Sequence, residues 1–339
     1  MKRQSVYALI LILLACSALA STVTVRADQA VSVYIMDPNN PANGAKGIAS
    51  GGYWVGEIPI TLTSDSTTYQ TVSYCINFDR LIYIGSTYSA TIAPAADTAE
   101  WRGVSYLLTW NYPTTNDEGA AAQVAVWRLL NQTRGSNYYR ESWLSQTIDD
   151  AGNAVATQAY GKDTVRQGDQ FSWVSPISSN MSAVPASAGD TVTFVAQLTK
   201  ADGTPRPNVR VLFNVTLNNS GTPLQLNSTY VSPPEAFTDS QGNVQVNVTV
   251  PSDTPLGATL AVEASTKSLW PQRYIDVTDP STQDLIGIGD TFQLTLSTNV
   301  CILGYITVLP ESAYGALSAL GAFAAGFAVW ITIKRKKRA

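Results

Sequence analysis

Residues 116–132, NDEGAAAQVAVWRLLNQ, read as a helix and follow a region in which nearly everything reads as strand. Asn116 or Asp117 supplies the N-cap, acidic residues fill the first turn, the alanines favour helix, and Val124, Trp127, Leu129 and Leu130 provide apolar positions. Just upstream, AADTAEWRGVSYLLTW (95–110) sets Trp101, Val104, Tyr106, Leu107, Leu108 and Trp110 at mixed helical spacing, and downstream a third helix is expected within 138–160. From Val31 to about Ile92 the chain instead offers short β-rich runs, VSVYIM, IPITLTS, TVSYCINF and LIYIG, separated by Pro, Asn and Gly clusters such as DPNNPANG. Strands first and helices second predict an α+β head over residues 29–165.

Beyond Arg166 the pattern is β throughout. Val192, Phe194, Ala196 and Leu198 alternate with polar neighbours, as do Val209, Val211, Phe213, Val215 and Leu217, and then Val244, Val246, Val248 and Val250. Period-two alternation marks half-buried strands, so an all-β sandwich stalk is expected over 169–308. Within it the strand-like runs TFQLTLS and VCILGYITV have no assigned place: they complete the sandwich or lead onward to a membrane.

The two ends imply export and anchoring. Met1-Lys2-Arg3, the apolar run VYALILILLAC and the small-residue site Ala18-Leu19-Ala20 read as a signal peptide over 1–20, with cleavage as late as 27. Residues 313–333 carry no charge and as a helix span about 31 Å, one bilayer core. The basic tail 334–339 follows, so a single-pass transmembrane helix with a cytoplasmic stub and an external body is expected. LPESA at 309–313 lacks the Thr and Gly of a sortase signal, which favours a retained helix.

Charge and composition remove several functions. The part between the signal and the tail has 14 basic residues against 25 acidic ones, a balance of −11 that repels nucleic acid. The chain contains no histidine, which excludes Ser-His-Asp and Cys-His hydrolases and HExxH metal sites; no cofactor or metal is expected.

Cys16 lies in the signal region, leaving Cys75 and Cys301. Cys75 sits in SYCINFDR (73–80), and Gln123 follows 48 residues later in AAQVAVWRLL. A thiol beside a primary carboxamide can displace ammonia and close an internal thioester. Plainer readings stand beside this one: Cys75 as an inert buried residue, Cys75 and Cys301 as a disulfide, and Gln123 as a solvent-facing helix residue. Gln158, in ATQAY, is a rival acceptor, and Trp127 is read as a core residue. Six N-glycosylation sequons occur, at Asn131, Asn180, Asn214, Asn218, Asn227 and Asn247; Asn214 and Asn247 fall on the polar positions of their strands.

YCIN on a β element, followed by AQVAVW opening a helix, resembles the thioester domains of Gram-positive surface adhesins, over residues 29–165. The resemblance implies a Cys75–Gln123 thioester at the junction of a β part and a helical part. Asn77 departs from the acidic residue expected there. Residues 180–265, with AGDTVTFVAQLTKADGTPRPNVRVLFNV and TDSQGNVQVNVTV, look like an invasin-type bacterial Ig-like domain. Together these imply a cell-surface covalent adhesin, acting once rather than as an enzyme, that captures amines of a surface or matrix protein or a polyamine. Its alternatives are a passive envelope protein with a Cys75–Cys301 disulfide, and a glycan-binding surface module. The external part holds four lysines, Lys46, Lys162, Lys200 and Lys267, against ten arginines, so few internal amines are available to discharge a thioester.

Overall fold

The computed structural model describes residues 29–64, 67–77, 80–131, 144–176, 183–219, 221–276 and 283–303. The first half contributes β1 (Ala30–Ile35), β2 (Gly47–Ser50), β3 (Tyr53–Gly56), β4 (Ile58–Ser64), β5 (Thr67–Cys75) and β6 (Thr87–Pro94). Three helices follow, α1 (Ala99–Trp110), α2 (Asn116–Leu129) and α3 (Gln146–Ala159). The second half is β7 (Gln170–Ser175), β8 (Val184–Ala186), β9 (Thr191–Thr199), β10 (Arg210–Asn219), β11 (Thr222–Gln225), β12 (Val231–Ser232), β13 (Glu235–Phe237), β14 (Asn243–Thr249), β15 (Thr259–Asp276) and β16 (Leu285–Ile302). The strands-then-helices order read from the sequence is present. The signal and membrane segments expected at 1–20 and 313–333 lie outside the described residues, and no described helix is long and apolar enough to cross a membrane.

β15 and β16, 18 residues each, pair along nearly their whole length. At the far end of this hairpin β15 pairs with β6 and β16 with β5, while β6, β1, β4 and β5 are already neighbours. Six antiparallel strands therefore close on themselves as a small barrel, and closure leaves no free edge among them. Val31, Val33, Ile35, Ile58, Ile60, Leu62, Ala90, Ile92, Tyr274 and Leu285 fill it. At the near end β15 pairs with β10 and β16 with β8, and this layer packs on the sheet β12-β14-β9-β7 around Phe194, Val211, Val215, Val246, Leu260 and Val262. The alternation read from β9, β10 and β14 thus faces the interior of a two-sheet sandwich. TFQLTLS and the start of VCILGYITV belong to β16, and the same strand serves both bodies.

Between the end of β10 and the start of β6 one edge of β15 lacks a strand partner, and β15 carries a register shift between Leu269 and Pro271. Helix α1 covers the gap. Thr109 Oγ1 accepts the Leu269 N–H at 2.8 Å, and Ser105 Oγ donates to the Leu269 carbonyl at 3.0 Å. Backbone groups buried without a ladder are thereby satisfied by two helix hydroxyls. Nearby, buried Arg206 from the sandwich joins Asp163 at 3.0 Å and Asp169 at 2.6 Å, pinning the link between the two bodies.

The cap of α2 differs from the sequence reading. Thr115, one residue before Asn116, is the N-cap: its hydroxyl accepts the Glu118 N–H and the Glu118 side chain returns to the Thr115 N–H, a reciprocal capping box. The helix then runs uninterrupted through Gln123. Residues 138–143 of the third candidate lie outside the described residues, and α3 occupies Gln146–Ala159.

Because β15 and β16 are two of the six barrel strands, a fragment ending at residue 165 should expose the edges of β5 and β6. We expect such a fragment to lack a cooperative thermal transition, whereas residues 29–303 should unfold cooperatively in calorimetry.

Candidate functional site

β4 and β5 remain paired up to Ile58 opposite Ser73 and then part, because the preceding residue, Glu57, turns the chain away and Gly56 pairs with Gly47 of β2 instead. On the opposite side β16 stays in register, with Leu285 against Cys75 and the Ile76 N–H bonded to the Asp284 carbonyl at 3.0 Å. Hydrogen-bonding direction alternates along a strand, so the Cys75 N–H and C=O point toward the position β4 has vacated.

The Gln123 side chain fills that position. Cys75 N–H donates to Gln123 Oε1 at 2.8 Å, and Gln123 Nε2 donates to the Cys75 carbonyl at 2.8 Å. The carboxamide thus makes the two-bond exchange a strand residue would make, and only this orientation of the amide matches a donor to an acceptor at both ends. Helix α2 delivers it by straddling the end of β5. Ala122, Ala125, Val126 and Leu129 pack with Tyr74 and Ile76 on one side, and Ala120, Val124 and Trp127 pack with Val55, Leu144 and Ile148 on the other. Gln123 falls between the two faces at the helical period, and is 1% exposed.

Cys75, half-buried, shares the face of Leu285 and borders both the barrel core and the Val55–Trp127 cluster, so it stands at the barrel rim. Burial pushes its thiol up to about 12. The neutral thiol is the resting form, so attack by this sulfur would draw on proximity and on dipoles already aimed at the carbonyl rather than on a pre-ionised sulfur. The Cys75 N–H is the important dipole, because it already points at the oxygen that would become negative were sulfur to add to Gln123 Cδ.

Gln158, the rival acceptor, is exposed on α3. The Cys75–Cys301 disulfide is ruled out by the strand between them. Cys75 pairs with Leu285 at one end of β16 and Cys301 lies against Pro185 and Thr259 at the other, on the order of 50 Å away along the strand, and both thiols are unpaired. Trp127 is core, 6% exposed. Asn131, Asn214, Asn218 and Asn227 are exposed and Asn247 half-exposed, its side chain accepting Thr193 Oγ1 at 2.8 Å; Asn180 lies outside the described residues. Asn77 accepts the Asp284 N–H at 3.1 Å and ties the exit of β5 to β16.

Sequence reasoning missed Glu57, although a lone acid inside YWVGEIPITL was a visible signal. It is 1% exposed. Burial raises its pKa, opposed by the Lys46 N–H, the hydroxyls of Tyr112 and Tyr74, and the Lys46 charge.

No family model and no curated protein matches this chain. Among solved structures it is similar to the thioester domain of the Enterococcus faecium TIE86 protein, at 13% identity and a TM-score of 0.31, over 82% of this chain and 98% of that one. The thioester domain of the Staphylococcus aureus TIE protein gives 14% identity and a TM-score of 0.30, over 80% and 98%. The Bacillus anthracis TIE protein gives 11% and 0.30, over 76% of this chain and 48% of that one. With scores this low, the reading of the site rests on its own geometry.

In a Cys75→Ala background, where no thioester can close, Gln123→Met keeps the side-chain volume and removes both bonds to the strand backbone at position 75. We expect it to cost about 2–4 kcal/mol in denaturant unfolding, for two buried backbone groups left without partners.

Proposed function

We propose that the chain is a cell-surface protein whose head closes an internal thioester between Cys75 and Gln123 and spends it on a primary amine. The observation that carries this reading is the buried Gln123 carboxamide held at both ends by the backbone of Cys75. In closure the Cys75 sulfur bonds to Gln123 Cδ while charge on Oε1 is held by the Cys75 N–H. The Cδ–Nε2 bond then breaks, and Nε2 leaves as ammonia with the proton of the thiol. In capture an amine nitrogen bonds to Cδ, the sulfur departs, and a proton from the amine returns it to a thiol. Each molecule reacts once, so the protein is a covalent adhesin rather than an enzyme, and neither step calls for a cofactor.

The partners are lysine side chains of a surface or matrix protein, or polyamines, met outside a membrane in which residues 313–333 anchor the chain. Its own amines are few and partly occupied. Lys162 Nζ lies 3.8 Å from the centre of the Phe237 ring and Lys267 Nζ 5.0 Å from that of Trp110.

Intact mass of purified protein should be short by one ammonia, and Cys75→Ala should restore the calculated mass. Methylamine should add in full as an adduct on Gln123, leaving the protein one CH2 heavier than calculated because methylamine replaces ammonia; a full wild-type mass with Cys75 freely alkylated overturns the proposal.

The amine adduct carries a free Cys75 whose thiol burial holds at about 12 against an ordinary 9.0. The unfolded chain then releases its proton first, so the folded adduct should lose stability as pH rises from about 9 toward 12. A Cys75→Ala protein should lack this component in paired alkaline melts.

A further inference from the structure

The turn that opens the place for Gln123 is held by one side chain. Glu57 binds Lys46 twice: its backbone N–H donates to the Lys46 carbonyl at 2.8 Å, and its Oε2 accepts the Lys46 N–H at 2.8 Å. Its Oε1 accepts the Tyr74 hydroxyl at 3.2 Å, and Trp54 Nε1 donates to its carbonyl at 2.7 Å. By the register of β4 on β5, Glu57 stands opposite Tyr74, next in sequence to Cys75. The Lys46 carbonyl in turn lies directly under α2, where a Cβ at Gly119 would collide with it. Gln123 is one helical turn beyond Gly119, about 6 Å along the axis.

A single buried carboxyl therefore touches both halves of the site, the loop on which α2 rests and the residue beside the thiol. We propose that Glu57 is the positioning residue of the Cys75–Gln123 reaction: by clamping Lys46 beneath α2 and Tyr74 on β5 it sets how the carboxamide meets the strand. It does not itself touch the reacting atoms. The inference rests on the thioester reading and deepens it. Its partners, the Lys46 N–H and the phenols of Tyr74 and Tyr112, are all donors, which the two oxygens of a carboxyl group can accept together. A glutamine can serve the same partners by accepting from Lys46 and donating its two amide hydrogens to the Tyr74 and Tyr112 oxygens. An alanine can serve none of them. Because displacement of reacting groups by about 1 Å costs on the order of a hundredfold in rate, loss of the clamp should be read in the rate of closure more than in stability.

The test follows closure of refolded full chain by loss of ammonia, at a temperature where every variant is folded by circular dichroism. Glu57→Ala should close at least about tenfold more slowly, and Glu57→Gln should stay within about threefold of wild type. Val33→Ala, which weakens the barrel core away from the site, should close at the wild-type rate. If Glu57→Ala does not fold, Gly119→Ala takes its place: it keeps Glu57 but pushes α2 off Lys46, and should slow closure by a similar factor. Wild-type closure in Glu57→Ala or Gly119→Ala, or equal slowing in Val33→Ala, overturns the inference and leaves the thioester intact. A wild-type protein that never loses ammonia overturns the thioester reading, and this inference with it.

Discussion

The requirement that a buried backbone N–H and C=O find partners governs this molecule at Cys75. β4 leaves β5 two residues too early, so one pair of polar groups at the barrel rim faces a space with no strand in it. Leaving them bare costs several kcal/mol. The structure answers with a side chain that has one donor and one acceptor at the right separation, and glutamine on a helix is such a side chain. The consequence is chemical as well as structural: satisfying Cys75's backbone holds an amide carbonyl on the same residue that carries the thiol. Fold and chemistry draw on the same two hydrogen bonds.

A second dependence runs the length of β15 and β16. At one end the hairpin closes the barrel and supplies Leu285 against Cys75; at the other it forms two strands of the sandwich. Head and stalk are therefore not beads on a string, since a continuous ladder crosses from one to the other. The gap where β15 changes partners is filled by hydroxyls of α1, and the link beside it by the Asp163–Arg206–Asp169 ion pairs. Breaking a buried ion pair of this kind by removing one partner costs about 3–5 kcal/mol, because a charge remains in a poor solvent. That cost favours one relative placement of the two bodies.

The proposed chemistry would have to work without histidine. Among the described residues nothing beside Cys75 draws its pKa down, and burial drives it up. A neutral thiol is a slow nucleophile, and in the proposed reaction, which each molecule performs once, that slowness is tolerable. What remains available is geometry: a fixed carbonyl, a backbone N–H aimed at its oxygen, and alanine, valine and tryptophan side chains packed beside the half-buried thiol.

The helix Asn116–Leu129, the alternating strands of the sandwich and the pairing of Cys75 with Gln123 were legible in the sequence, because local periodicity and the chemistry of a thiol and an amide are properties of the residues themselves. The cap at Thr115 was missed by one position, since Thr, Asn and Asp are all good caps and only the reciprocal bond with Glu118 distinguishes them. The choice of Gln123 over Gln158 and the exclusion of a Cys75–Cys301 disulfide depended on burial and on the length of β16. The role of Glu57 depended on where β4 turns away. Each of these arises between residues far apart in the chain, where backbone hydrogen bonds must close across strands and a helix must settle against a loop. Pattern along the sequence records which residues face inward; which of them meet was decided by the closing of the barrel.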